Sequence, residues 1–104
     1  MFAHEHIRAW KKVTDAVHAK GAYMACQLWH TSRFAVSVQL GGRQSLSSSA
    51  TNIGMSNGFT TKGRVPHEVS KEMSLQEIKD TIEDHVHAAI CAIEAGFNCV
   101  EIVG

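Results

Sequence analysis

The densest group of residues that could do chemistry lies in the segment CQLWHTSR, which contains Gln27, Trp29, His30 and Arg33. Gln27 stands in an otherwise apolar run, where a buried amide is costly unless both its donor and its acceptor are matched. A heterocycle edge that offers a carbonyl beside an N–H would match both. The alternative is that Gln27 bonds to neighbouring backbone and that Trp29 belongs to the core. The pattern of residues alone leaves both interpretations open.

The histidines form a second group that could bind a ligand. His4 and His6, and likewise His85 and His87, make H-x-H pairs on predicted helices, where residues two apart point to different faces. Helical zinc sites use a spacing of four instead, so the sequence predicts no metal site. The chain also lacks a phosphate-binding G-x-x-x-x-G-K and a C-x-x-C pair.

The first half of the chain predicts a helix, a strand and a long loop. Apolar residues recur at three- and four-residue steps over 5–20, which indicates an amphipathic helix that ends at Gly21. Residues 22–29 are short and almost continuously apolar, as in a strand buried on both faces. Residues 31–73 contain many turn formers without a sustained period, which predicts a long loop that could include a small hairpin.

The second half predicts another helix and another strand. Ser74 and Glu77 match a capping box, so a helix is expected to begin there and to cover 75–95. Gly96 ends its apolar period, and 97–103 is then a second buried strand whose one charged member is a glutamate. The order of elements is therefore helix, strand, long loop, helix, strand.

Two helix–strand units with nearly continuous apolar strands predict an α/β fold with a parallel sheet. Two parallel strands alone leave their faces uncovered and their edges unpaired. The sequence therefore predicts a slice of a larger α/β barrel or open sheet. In such folds the working residues cluster where strands end and loops begin, which is where Gln27 and Trp29 lie.

Length and composition narrow the class of protein. A chain of 104 residues holds one domain at most, and its ten Lys and Arg balance ten Asp and Glu, which argues against nucleic-acid and anionic-membrane partners. The sequence has no long apolar run and no signal-peptide pattern, so we expect a cytoplasmic protein. Cys26, Cys91 and Cys99 lie in apolar settings and are predicted to be buried thiols in a reducing compartment.

Three segments carry a resemblance to a known family: WKKVTDAVHAKGAYMACQLWH, SSSATNI and SLQEIKDTIEDHVHAAICAIEAGFNCVEI. The residues of these segments and their order along the chain resemble the old yellow enzyme family over essentially the whole chain. Members of that family are flavin-dependent ene-reductases built on a TIM barrel. The resemblance implies that residues 1–104 are a partial barrel domain, a fragment of a (β/α)8 barrel that covers about two helix–strand units. It also implies FMN as cofactor, NADH or NADPH as reductant, and an activated alkene such as an α,β-unsaturated carbonyl as substrate.

The resemblance also implies roles for single residues. Gln27 matches the family glutamine that bonds the pyrimidine edge of the flavin, and Trp29 matches a position in the substrate pocket beside it. Ser32 replaces a glycine often found before the arginine. Val103 takes the place of the family histidine that hydrogen-bonds the substrate carbonyl. No catalytic residue is therefore assigned in this chain.

Two functional classes remain open from the sequence. The first is a piece of an FMN-dependent ene-reductase that is not active alone, arising from a truncated gene model or a natural fragment. The alternative is a non-catalytic remnant or small binding module derived from a barrel enzyme. The alkene, the choice between NADH and NADPH, and the oligomeric state are left open by the sequence.

Overall fold

The computed structural model describes residues 3–54 and 57–103. The chain divides into two compact units, one formed by Met1–His30 with Lys79–Gly104 and the other by Thr31–Ile78. The elements, in chain order, are α1 (His4–His18), β1 (Ala25–Trp29), two short 3₁₀ helices (Ser32–Phe34 and Ser37–Leu40), β2 (Leu46–Ser47), β3 (Asn57–Thr60), β4 (Gly63–Pro66), β5 (Lys71–Glu72), α2 (Leu75–Glu94) and β6 (Cys99–Val103).

The first unit is built on a parallel pair of strands. β1 and β6 run in register from the pair Ala25–Cys99 to the pair Trp29–Val103, which confirms the predicted parallel pairing. Asn98 fixes the start of this register, because its backbone N–H donates to the Met24 carbonyl and its Oδ1 accepts from the Met24 N–H, both at 2.9 Å. Asn98 Oδ1 also accepts from His18 Nε2 at 2.9 Å, which links the end of α1 to the same point.

Both long helices end on a glycine with positive φ. Gly21 has φ 73° and Gly96 has φ 91°, the left-handed region in which glycine avoids the penalty of a Cβ. Each glycine is followed by an N–H that reaches back to the helix, as in a Schellman motif. The bonds are Gly21 N to His18 O and Ala22 N to Val17 O after α1, and Gly96 N to Ile93 O and Phe97 N to Ala92 O after α2.

The core of the first unit lies between the helices and one face of the sheet. Its buried members are Ile7, Cys91, Ala92, Ala95 and Phe97, with Met24, Cys26 and Val100 packed against them. The buried Thr14 hydroxyl donates to the Ala95 carbonyl at 2.6 Å, so α1 satisfies a carbonyl at the C-terminal end of α2. The hydrogen bond from Thr14 therefore ties α1 to the C-terminal end of α2 beside this core.

The two faces of the sheet differ in burial. Cys26, Leu28 and Val100 are buried or half-buried, whereas the residues that alternate with them along both strands are exposed. The prediction that β1 is buried on both faces is therefore wrong for this structure, and so is the prediction that the Cys99 thiol is buried. The reason is that the helical core covers only one face of the β1–β6 pair.

Helix α2 buries small residues and exposes large ones. Its buried residues are Cys91 and Ala92, whose short side chains let the helix approach the sheet closely. The large apolar residues that give the sequence its helical period lie on the exposed side: Leu75, Ile78, Ile82, Val86, Ile90 and Ile93. The apolar period in the sequence predicted the helix correctly, but it did not indicate which face of the helix packs against the sheet. No helix in 3–54 or 57–103 combines the length and apolarity needed to cross a membrane.

The second unit, Thr31–Ile78, is more structured than the long loop predicted over 31–73. β3 and β4 form an antiparallel hairpin, and β2 pairs in parallel with β5. The unit has its own small core, in which Val36 is fully buried and the ring of Phe34 meets that of His67 edge-on at 6.1 Å. A Cβ added at Gly58 would lie 3.1 Å from Val36 and 3.3 Å from His67, so the hairpin approaches this core closely.

The predicted capping box is present at the start of α2. The Ser74 N–H donates to Glu77 Oε2 at 2.8 Å, and the Glu77 N–H donates to Ser74 Oγ at 3.2 Å. Lys71 Nζ adds a bond to Glu77 Oε1 at 2.7 Å. The Lys71 hydrogen bond, followed by those from Ser74, lowers the pKa of Glu77 from 4.5 to about 2.

This shift predicts a loss of stability in acid. Because the pKa of Glu77 is lower in the folded chain than in the unfolded one, its stabilisation is complete above pH 4.5 and is lost as pH falls towards about 2. We expect Glu77→Gln to reduce the fall of the thermal unfolding midpoint across this window, measured by circular dichroism. Glu72→Gln, an exposed glutamate of β5, serves as control. Equal pH dependence in the wild type and Glu77→Gln would contradict the prediction.

Candidate functional site

The exposed face of the β1–β6 sheet holds the residues that sequence analysis selected. Alternate residues of a strand share a face, and the parallel register places the two strands' residues side by side. We call this surface the open sheet face, and it consists of Ala25, Gln27, Trp29, Cys99, Glu101 and Val103. Trp29 and Val103 lie at the C-terminal ends of the strands, the end at which α/β folds bind ligands, whereas Gln27 and Glu101 lie at the strand centres.

Gln27 and Glu101 are register partners joined by a hydrogen bond. Gln27 Nε2 donates to Glu101 Oε2 at 3.0 Å, and both residues are exposed. Because a carboxylate only accepts, the amide nitrogen must face Glu101 and the amide oxygen Oε1 must point elsewhere. Oε1 accepts no hydrogen bond from any described residue. The expectation of a buried amide is therefore wrong here, and the partner of Gln27 is a side chain rather than backbone.

Trp29 and Val103 end the open sheet face. Trp29 is 56% exposed, so it is not part of the core, and its register partner Val103 is 36% exposed. The indole offers a flat apolar surface and one N–H donor, whereas the isopropyl group of Val103 can donate no hydrogen bond. The strand ends therefore provide an aromatic wall beside an aliphatic position.

A concavity of about 710 Å³ adjoins β1 in the first unit. Gln27, Leu28 and Trp29 line it from the strand, and its lining from α2 is Asp84, His85, His87 and Ala88. This volume falls within the range of small-molecule sites, roughly 300–1,000 Å³. The wall from α2 is polar, so the concavity combines hydrogen-bonding groups with one aromatic side chain.

The histidines of α2 bond within their own helix. His85 donates from Nδ1 to the Thr81 carbonyl at 2.8 Å, and His87 Nε2 lies 3.5 Å from Cys91 Sγ. Within the described ranges, no three His, Cys, Asp or Glu side chains are grouped closely enough to hold a metal ion.

The remaining residues of the CQLWHTSR segment serve other contacts. His30 is half-buried at the end of the first unit, and Arg33 in the second unit donates from Nη1 to Thr51 Oγ1 at 3.2 Å. Ser32 has φ 50°, the only positive φ of a non-glycine residue in the described ranges. Glycine suits position 32 because it adopts a positive φ without the penalty of a Cβ. Serine has a different contact there, since its hydroxyl donates to Ser47 Oγ at 3.0 Å.

Sequence reasoning did not assign Glu101 to the site. A signal was available, because Glu101 is the one charged residue in the apolar segment 97–103. A glutamate in a strand needs a reason, since strands favour β-branched and aromatic residues. Its partner could not be deduced from sequence spacing, because the parallel register that pairs it with Gln27 joins residues 74 positions apart.

Comparisons with known proteins identify the family. Residues 1–104 match the model of the NADH:flavin oxidoreductase / NADH oxidase family. The chain is 39% identical over 105 residues to flavin oxidoreductase hxnT of Emericella nidulans, covering all of this chain and 26% of the relative. It is 40% identical over 111 residues to 12-oxophytodienoate reductase 7 of Oryza sativa subsp. japonica, covering all of this chain and 27% of that protein.

The fold comparison agrees with the sequence comparison. The structure superposes on an old yellow enzyme homologue from Zymomonas mobilis with a TM-score of 0.87 and 34% identity, over 96% of this chain and 28% of that one. The chain therefore spans about a quarter of the length of the curated relatives it matches and corresponds in fold to part of an old yellow enzyme barrel. With a family match along its whole length, the chain belongs to the NADH:flavin oxidoreductase / NADH oxidase family.

Proposed function

We propose that this chain supplies part of the flavin site of an FMN-dependent ene-reductase. Such an enzyme transfers hydride from NADH or NADPH through FMN to an activated alkene, for example an α,β-unsaturated carbonyl. The observation that carries the proposal is the exposed Gln27 amide, whose Oε1 accepts no hydrogen bond from the described residues. The family match and the reductase names of the relatives support the same reaction type.

The residues on the open sheet face fit a flavin edge. The edge of the flavin pyrimidine ring places a carbonyl beside an N–H. Gln27 can accept from that N–H with Oε1 and donate to that carbonyl with the Nε2 hydrogen that Glu101 does not take. Trp29, two residues along the same face, offers a flat apolar surface beside it.

In this proposal, the residues of the chain bind the flavin and shield it. FMN, when bound, supplies the redox chemistry. Gln27 orients the ring edge and Trp29 limits the access of water and substrate on its side. Val103 lies where the family has a hydrogen-bonding histidine and cannot polarise a substrate carbonyl. We therefore expect no alkene reduction by the 104-residue chain alone.

A second candidate function is a non-catalytic binding module, and Val103 is the residue that favours it. A module of this kind keeps the open sheet face but lacks the donor that the reaction needs. Alkene reduction by the purified chain with FMN and NADPH would exclude the module. Retained flavin without alkene reduction fits both the module and an incomplete ene-reductase. The absence of nucleic-acid and membrane partners and the cytoplasmic location stay predictions.

We expect Gln27→Ala to weaken FMN binding. The substitution removes two hydrogen bonds to the flavin edge, each contributing about 1 kcal/mol, so the Kd should rise about thirtyfold. The measurement is a titration of FMN with the purified chain, followed by the quenching of flavin fluorescence. Quenching of Trp29 fluorescence, isolated by comparison with Trp29→Phe, reports whether the flavin lies beside the open sheet face.

The matched control is Gln44→Ala, which removes an exposed glutamine of the second unit that donates from Nε2 to the Val69 carbonyl at 2.8 Å. Its FMN affinity should equal that of the wild type. A wild-type chain that takes up no FMN would overturn the proposed flavin site. Equal affinities for the wild type and Gln27→Ala would remove Gln27 from the site.

A further inference from the structure

We infer that Glu101 is a positioning residue that holds the Gln27 amide in the orientation required by a flavin edge. The inference rests on the proposed function, because it assigns a role toward the same ligand. The two residues face each other across the parallel strands, with Gln27 Nε2 and Glu101 Oε2 at 3.0 Å. Neither side chain has another hydrogen bond or ion pair among the described residues.

The orientation of a glutamine amide must be imposed from outside. The terminal amide is nearly symmetric in shape, and its torsion is broad and roughly two-fold, so an exposed glutamine samples both orientations. Only one of them places Oε1 on the side where a ligand N–H would arrive. The Glu101 carboxylate accepts this hydrogen bond at 3.0 Å and has no N–H to offer Oε1, so it selects the orientation with Nε2 towards β6.

Stability does not account for this hydrogen bond. Both side chains are exposed, and exposed polar pairs add little to the free energy of unfolding because water competes for the same groups. A glutamate in a strand is also disfavoured by intrinsic preference. No Lys, Arg or His in the described ranges forms an ion pair with Glu101, so a charge network does not explain it either.

The bond to Glu101 leaves a defined set of groups for a ligand. Nε2 carries two hydrogens, of which one is given to Glu101 and one remains, next to the accepting Oε1. These two groups match an imide-type edge, in which an N–H and a carbonyl are adjacent. The carboxylate beside the amide also disfavours anionic groups at this edge, so it directs a ligand's phosphate elsewhere.

The test compares Glu101→Ala with Glu101→Gln. In the flavin-free chain, the side-chain NH₂ resonances of Gln27 should move in Glu101→Ala, which removes the acceptor, and also in Glu101→Gln, whose amide can donate as well as accept and so no longer selects one orientation. In an FMN titration, Glu101→Ala should weaken binding about threefold to tenfold, the cost of fixing a freed side chain, and Glu101→Gln, whose amide can also donate to Gln27 Oε1, should restore only part of the affinity. Glu72→Ala, on β5, is the control for removal of an exposed strand glutamate.

The outcomes separate the inference from the proposed function. If Gln27→Ala weakens FMN binding and Glu101→Ala does not, Glu101 has no positioning role and the flavin site remains. If the wild-type chain takes up no FMN, the proposed function fails and this inference fails with it. Gln27 resonances that are identical in the wild type and Glu101→Ala would overturn the inference without reference to flavin.

Discussion

Gly96→Ala is expected to lower the free energy of unfolding by about 3 kcal/mol, the sum of a backbone penalty and a lost buried hydrogen bond. Gly96 has φ 91°, which side chains rarely adopt. An added Cβ would also lie 2.7 Å from the Thr14 hydroxyl oxygen and 3.3 Å from Thr14 Cβ. Thr14 cannot yield by rotation without breaking its 2.6 Å bond to the Ala95 carbonyl.

Gly21→Ala is a matched control within the same chain. Gly21 ends α1 with the same pattern of backbone hydrogen bonds and a φ of 73°, but an added Cβ there meets no atom within 4 Å. Gly21→Ala should therefore lower the free energy of unfolding only by the backbone penalty, about 1–2 kcal/mol. Urea unfolding followed by circular dichroism measures both variants. Equal losses at Gly21 and Gly96 would show that the contact with Thr14 contributes nothing.

Signals that act between neighbours in sequence predicted the elements of this fold well. The helix predicted over 5–20 is present at His4–His18, and the one predicted over 75–95 at Leu75–Glu94. Their ends follow from glycines that provide positive φ, and the start of α2 follows from the Ser74–Glu77 capping box. Such signals need only a few adjacent residues, so they can be identified before any tertiary contact is known.

Burial was predicted less well because it depends on residues far apart in sequence. The strand predicted over 22–29 is shorter, Ala25–Trp29, and one of its faces is exposed. On α2 the large apolar residues, such as Ile82 and Val86, are exposed while Ala92 is buried. An apolar period shows that residues share a face but not what covers it. In the second unit, β2 and β5 pair in parallel although their register partners are 25 positions apart (71 − 46), which no local signal indicates.

The candidate site was predicted in part. Gln27 and Trp29 lie on one face of β1, as their spacing indicates, and Val103 is the register partner of Trp29. The argument from burial was wrong for Gln27, since its amide is exposed. The partner that orients the amide, Glu101, emerged only from the register of β1 and β6. Spacing along one strand thus indicated Gln27 and Trp29 as candidates, and the pairing between strands added Glu101 to them.

Thr14→Val is expected to lower the free energy of unfolding by about 2 kcal/mol, although valine has nearly the shape of threonine. Thr14 is fully buried, and its hydroxyl oxygen lies 2.6 Å from the Ala95 carbonyl and 3.1 Å from that of Lys11. Valine leaves the Ala95 carbonyl buried without a donor at the end of α2, where the helix itself provides none. Thr14→Ser keeps the hydroxyl and should lose about 1 kcal/mol, from the missing methyl group alone.

Combining substitutions at the two positions isolates the contact between them. In a Thr14→Ala background the hydroxyl oxygen is absent, so Gly96→Ala no longer collides with it and should cost about 1–2 kcal/mol, as at Gly21. The coupling energy of the double-mutant cycle should therefore be about 1–2 kcal/mol, with the two effects smaller together than their sum. A coupling near zero would mean that Thr14 and Gly96 stabilise the chain independently. Glycine would then be required at position 96 only by its backbone angle.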